Sequence, residues 1–107
     1  MKVIYIESND SEPVVKDIKG DLAELQSLVG GYIQVIYYHD VAIVCNEDGK
    51  FLGLKPNRLI IDRDRNLYDI ICGPMLVTSQ IEDESLTEEQ IEKWKYVFSL
   101  KREKDFH

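Results

Sequence analysis

Apolar positions in this chain fall into short runs separated by polar turn formers, and each run carries the period of a strand or of a helix. The first, Val3 to Ile6, stops at Glu7, with Asn9, Asp10 and Ser11 behind it as turn formers. Val14, Val15 and Ile18 follow Pro13 and predict a second short strand, giving a hairpin. Leu22, Leu25, Leu28 and Val29 then recur at helical spacing. Asp21 is placed to cap that helix, and Gly30-Gly31 to end it. At about two and a half turns the helix needs a sheet to pack against.

Tyr32 to Tyr38 is rich in β-branched and aromatic residues and reads as a strand. His39-Asp40 is a turn, and Val41 to Cys45 a further strand. Asn46-Glu47-Asp48-Gly49 predicts a hairpin turn, because Asp-Gly readily supplies positive φ, and Lys50 to Leu52 return from it. Gly53 to Arg58 reads as a loop in which Pro56 holds Lys55 extended. Leu59 to Ile61 opens another apolar stretch, and Asp62 to Asn66 is polar. Tyr68 to Cys72 is a strand broken by Gly73-Pro74, and Met75 to Ser79 is the last. Thr87 and Gln90 stand at capping-box spacing, and Ile91, Trp94, Val97 and Phe98 line one face of an amphipathic helix.

Closely spaced strands favour antiparallel pairing. The prediction is an α+β fold: a small, mainly antiparallel sheet, a short helix in the N-terminal half and an amphipathic C-terminal helix. Residues 1–100 form the expected single domain, with 101–107 a charged, frayed tail.

Composition narrows the class. With 107 residues, 44% hydrophobic and 31% charged, the chain has apolar content for a core and too much of it for disorder. Its apolar runs fall short of the roughly 18 residues that cross a bilayer. Thirteen Lys and Arg against twenty Asp and Glu give a net charge of −7. The longest basic run is Lys101-Arg102, so nucleic-acid binding is disfavoured. Cys45 and Cys72 lie in apolar surroundings and read as reduced core thiols. The first apolar run is too short for a signal-peptide core, so the expected location is the cytoplasm. His39 and His107 are not at ligand spacing, and neither metal nor cofactor is expected.

Few features carry chemistry. Glu82, Asp83, Glu84, Glu88, Glu89 and Glu92 follow one another with no base between them. Acids at a helix start are favoured by the helix dipole. The functional reading makes Glu84, Glu88, Glu89 and Glu92 a contact surface for a basic protein partner. Asp62-Arg63-Asp64-Arg65-Asn66 begins like a calcium loop, but Leu67 replaces its glycine and Gly73 its closing glutamate. It reads as a solvated turn. His39 beside Asp40 lacks a nucleophile, and no catalytic residue is predicted. Lys55-Pro56-Asn57-Arg58 brings two cations and an amide together, and an arginine fork can grip carboxylate or phosphate. The structural alternative is a turn closed by Asn57, with Arg58 paired to an acid. Tyr37 and Tyr38 point to opposite faces of their strand, which puts a tyrosine at the surface.

Three segments together carry a family likeness. Leu25 to Ile33 reads LQSLVGGYI, Cys45 to Lys50 reads CNEDGK, and Leu52 to Arg58 reads LGLKPNR. Their order and spacing resemble DUF3846, a family of small proteins of unknown function from bacteriophages, mobile elements and Gram-positive bacteria. The likeness spans roughly residues 1 to 98. Gly30, Gly31 and Tyr32 match its first block, and Asn46, Gly49, Asn57 and Arg58 match the others. Asp62 to Asn66 is particular to this chain. The resemblance implies a phage-type accessory protein and no reaction.

The leading expectation is a non-enzymatic protein that binds and blocks a host or bacterial-defence protein through its acids and exposed tyrosines. The alternative is a sponge for a nucleotide signal, using the Lys55–Arg58 loop. With the family blocks added, its ligand candidates are Tyr32, Asn46, Lys55, Asn57 and Arg58. A small nucleotide-acting enzyme is the second alternative. Open sheet edges invite pairing, so a homodimer is also expected.

Overall fold

Apart from Lys50 to Leu52, the runs read as strands form strands, and both helical runs form helices. The fold is that of a computed structural model, and residues 1–100 are described. The expected tail, 101–107, lies outside the described residues. In chain order the elements are β1 (Lys2–Ile6), β2 (Val14–Asp17), α1 (Leu22–Val29), β3 (Ile33–Tyr38) and β4 (Val41–Asn46). They continue with β5 (Pro56–Ile61), β6 (Leu67–Cys72), β7 (Met75–Ser79) and α2 (Glu88–Leu100). Five strands form one sheet in the order β2-β1-β7-β4-β3, with every neighbouring pair antiparallel. β5 and β6 form a separate antiparallel ribbon. The fold is α+β, as the strand spacing predicts.

Alternation along β1, β4 and β7 feeds two cores. On one face Val3, Val44 and Leu76 meet Leu25, Leu28 and Val29 of α1. On the other, Ile4, Ile6, Ile43 and Val77 lie under Ile60 and Ile71 of the ribbon and Trp94 and Phe98 of α2. β4 is covered on both faces and is buried along its whole length. Each large aliphatic side chain removed from water contributes about 1.5–3 kcal/mol. Among the described residues, no helix is long and apolar enough to cross a membrane.

Local caps set the helix ends. The Asp21 carboxylate accepts from the Glu24 amide at 2.9 Å. Gly30 ends α1 at φ 80°, its N–H donating to the Gln26 carbonyl at 2.8 Å. Thr87 and Gln90 form the expected capping box. The Gln90 amide donates to Thr87 Oγ1 at 3.1 Å, and the Thr87 amide to Gln90 Oε1 at 2.9 Å.

Two expectations are corrected between β4 and β5. Lys50 to Leu52 do not return as a strand, because β3 and β7 already flank β4. The chain winds instead through successive turns, with Leu52 N–H donating to Asp48 O at 2.8 Å and Leu54 N–H to Gly49 O at 2.9 Å. Gly49 is not at positive φ. A Cβ there would collide with the main-chain carbonyl of Cys72, so close approach rather than turn type calls for glycine. The loop expected over Gly53 to Arg58 is also shorter, since Pro56 to Arg58 begin β5. Proline tolerates the first position of a strand, and the register shifts at Asn57 as in a bulge.

Candidate functional site

The bulge decides the fate of the expected ligand loop. It turns Asn57 and Arg58 inward rather than into solvent. Asn57 Nδ2 donates to the carbonyls of Ile6 at 3.0 Å and Gly73 at 2.9 Å. Arg58 is 0% exposed. Its Nε donates to Phe98 O at 2.8 Å, its Nη2 to Ser11 O at 2.9 Å, and its Nη1 to Asn9 O at 3.2 Å and Asn57 Oδ1 at 3.0 Å. Asn46 is also buried, with Nδ2 donating to Val29 O at 3.2 Å and Oδ1 accepting from the Asp48 amide at 2.8 Å. Tyr32 and Lys55 are exposed. The five ligand candidates are therefore split. Asn46, Asn57 and Arg58 tie main-chain carbonyls together in the interior, and the arginine fork is not presented to a ligand.

A different surface gathers exposed polar and aromatic side chains. Its centre is the two-residue turn between β3 and β4. His39 takes φ 52° there, a conformation two-residue hairpin turns usually give to glycine, Asn or Asp. The His39 ring lies edge-on to Tyr38 at 4.4 Å and 5.6 Å from the ring of Trp94. Asp40 is bound to α2. Its Oδ1 accepts from Trp94 Nε1 at 3.1 Å, and its Oδ2 from Gln90 Nε2 at 3.2 Å. Burial works to raise its pKa, but the hydrogen bonds from Gln90 and Trp94, with Lys93 4.0 Å away, outweigh it. The carboxyl sits below its ordinary value.

On the ribbon side of this turn lies an open cleft of about 190 Å³, lined by Tyr37, Tyr38, His39, Asp62, Arg63 and Tyr68. Tyr37 is 70% exposed and Tyr68 63%. Tyr38 is half-buried, and its hydroxyl donates to Ile61 O at 2.6 Å. Burial raises that phenol above its usual pKa, and Asp62 adds to the effect. The polar turn joining β5 to β6 is built on Asp62, whose Oδ1 accepts from the amides of Asp64 and Asn66 at 2.9 Å each. Arg65 takes φ 65° and lines an adjoining hollow with Tyr38 and His39. Neither Arg63 nor Arg65 forms a salt bridge among the described residues. Non-glycine residues at positive φ store strain and cluster at functional sites. Two of the three described here, His39 and Arg65, border this region.

The helix side of the turn is acidic. A hollow of about 350 Å³ is bounded by Asp40, Thr87, Glu89, Gln90 and Lys93. Glu84, Glu88, Glu89 and Glu92 are all exposed. One region thus carries tyrosines and arginines, a strained histidine turn, and carboxylates beyond it. It can bind by ring contact and by charge.

Among the described residues, no group of three or more His, Cys, Asp or Glu is placed to hold a metal ion. Cys45 and Cys72 are free thiols. Burial pushes the Cys45 thiol up to about 11, which leaves little thiolate at neutral pH.

The family model described as a domain of unknown function, DUF3846, matches residues 1–99. The chain belongs to this family. No curated protein and no solved structure matches it. Within this DUF3846 chain, Asn46, Asn57 and Arg58 fasten the interior. Arg63, Arg65 and Tyr68 lie in or beside the polar turn between β5 and β6. Sequence reasoning saw that segment only as a solvated turn. Its polar arginines beside an aromatic strand were the available sign.

Proposed function

We propose that the protein is a binding protein without catalytic activity of its own, which docks on another protein and blocks it. The observation that carries this reading is the exposure of Tyr37 and Tyr68 in one cleft, with Glu89 across the His39–Asp40 turn. Exposed tyrosine and arginine are the residues that dominate interface energies. Carboxylates beside them steer a partner of opposite charge and fix its orientation. The resemblance to phage and mobile-element proteins favours a partner from the bacterial host or its defences. Two unlinked thiols fit an encounter in the reducing cytoplasm. Affinity capture from host lysate, with Tyr68→Ala and Glu89→Lys beside the unaltered chain, tests the reading.

A second reading rests on Arg63 and Arg65, which form no salt bridge among the described residues of an acid-rich chain. Two such cations beside Tyr37, Tyr38 and Tyr68 suit a ligand with a planar ring and phosphate, such as a nucleotide signal. On this reading the sponge would use the cleft rather than the Lys55–Arg58 loop. Calorimetry with a nucleotide panel tests it, and an affinity unchanged by Arg63→Ala removes that residue from the site.

A further inference from the structure

The five-stranded sheet ends in β2 on one side and β3 on the other, and these edges differ in chemistry. Soluble proteins guard edge strands by shortness, charge and proline. β2 has all three: four residues, Lys16 and Asp17 within it, and Pro13 immediately before it. β3 has none of them. Its six residues read IQVIYY, without charge, proline or glycine.

The backbone of β3 also shows which groups point outward. Tyr32 O accepts from Glu47 N–H at 2.8 Å. Hydrogen-bonded pairs alternate along an antiparallel ladder, and the β3–β4 register is unbroken. The amides and carbonyls of Gln34, Ile36 and Tyr38 therefore face β4. Those of Ile33, Val35 and Tyr37 face the open edge. Val35 is 46% exposed and lies at the middle of this outward row.

We infer that β3 is the docking edge for a second copy of this chain, which pairs with it antiparallel across a two-fold axis at Val35. Val35 then opposes Val35 of the second copy, and Ile33 opposes Tyr37. Each pair exchanges two backbone hydrogen bonds. The side chains that meet are aliphatic and aromatic, a favourable cross-strand combination.

Three observations select a second copy as the occupant. The register is self-complementary. The strand is uncharged in a chain of net charge −7, so two copies meet where no like charges oppose. The pairing is also isologous, and it closes with a guarded β2 at both outer edges. The inference does not rest on the proposed partner or on the cleft.

The test is sedimentation velocity of the full 107-residue chain in reducing buffer, from micromolar to millimolar concentration. The expected species has twice the 12.4 kDa chain mass. Val35→Lys sets two ammonium groups against each other on the axis and is expected to sediment as a monomer with unchanged circular dichroism. Val15→Lys, on the β2 edge, is expected to remain dimeric. Val35→Cys supplies a readout that needs no destabilised variant. Cα atoms in a hydrogen-bonded pair lie about 5.5 Å apart, within the roughly 4.4–6.8 Å that a disulfide spans. Mild oxidation should link this variant into a covalent dimer and leave Val15→Cys unlinked. A wild-type chain that stays monomeric throughout overturns the inference. So does a dimer that survives Val35→Lys, or one that Val35→Cys does not link.

Discussion

Arg58 Nε donates to the main-chain carbonyl of Phe98 at 2.8 Å, so the ribbon holds the last turns of α2 through one guanidinium. The same side chain donates to Asn9 and Ser11 in the segment between β1 and β2. It therefore joins three parts of the fold that are remote in sequence. Arg58→Ala is expected to lower the unfolding free energy by about 3 kcal/mol or more, since hydrogen bonds to a charged group are worth roughly 1.5–3 kcal/mol each. Arg58→Lys should restore only part, because a point cation cannot copy the fork. Urea denaturation reads both. Wild-type stability in Arg58→Ala would contradict this role.

Asp40 predicts a pH dependence with a definite sign. Its carboxyl titrates below its ordinary value in the folded chain. The stabilisation is therefore complete above the unfolded-state value of about 3.9 and fades as pH falls through the depressed folded value. The side chain is half exposed, so solvent screening holds the effect below about 1 kcal/mol. Asp40→Asn should be less stable than wild type at pH 7, with the gap closing toward pH 2. Denaturation midpoints across that range check it, and a gap that widens in acid would refute it.

Gly49 and Gly30 should respond differently to alanine. A Cβ on Gly49 meets the Cys72 carbonyl, a main-chain atom that cannot swing aside, while one on Gly30 meets nothing within 4 Å. Gly49→Ala is expected to lose about 1–3 kcal/mol through overpacking. Gly30→Ala should lose about 1 kcal/mol through its left-handed backbone alone. Thermal denaturation separates the two, with Gly49→Ala the lower melting.

The thiols should label in order. Cys45 is buried and pushed up to about 11, whereas Cys72 is partly exposed and also raised by burial. Iodoacetamide at pH 8 should modify Cys72 first, and Cys45 only at the rate of unfolding. Mass spectrometry of the native digest reports the order.

Elements settled by neighbours in sequence were legible from it. The β1–β2 hairpin, the Asp21 and Gly30 caps and the Thr87–Gln90 box each depend on residues a few positions apart. Residues 50–58 were not legible, because long-range pairing decides them. Lys50 to Leu52 would suit a strand if β7 did not already occupy the second side of β4. Arg58 looked like an exposed gripping group because its carbonyl partners come from Ser11, Asn9 and Phe98, distant in the chain. The cleft was missed for a similar reason. Folding brings Tyr37 and His39 to Arg63 and Tyr68 from separate hairpins, and no local spacing encodes that meeting.

Affinity capture from bacterial lysate, quantified for matched variants, tests the proposed docking surface most directly. The unaltered chain, Tyr68→Ala, Glu89→Lys and the distant control Val14→Ala would be compared at equal bait. The predicted result is one protein recovered by wild type and Val14→Ala and depleted at least about tenfold by the other two, a change of roughly 1.4 kcal/mol. A protein recovered equally by all four baits, or none whose recovery depends on Tyr68 or Glu89, would contradict the docking surface.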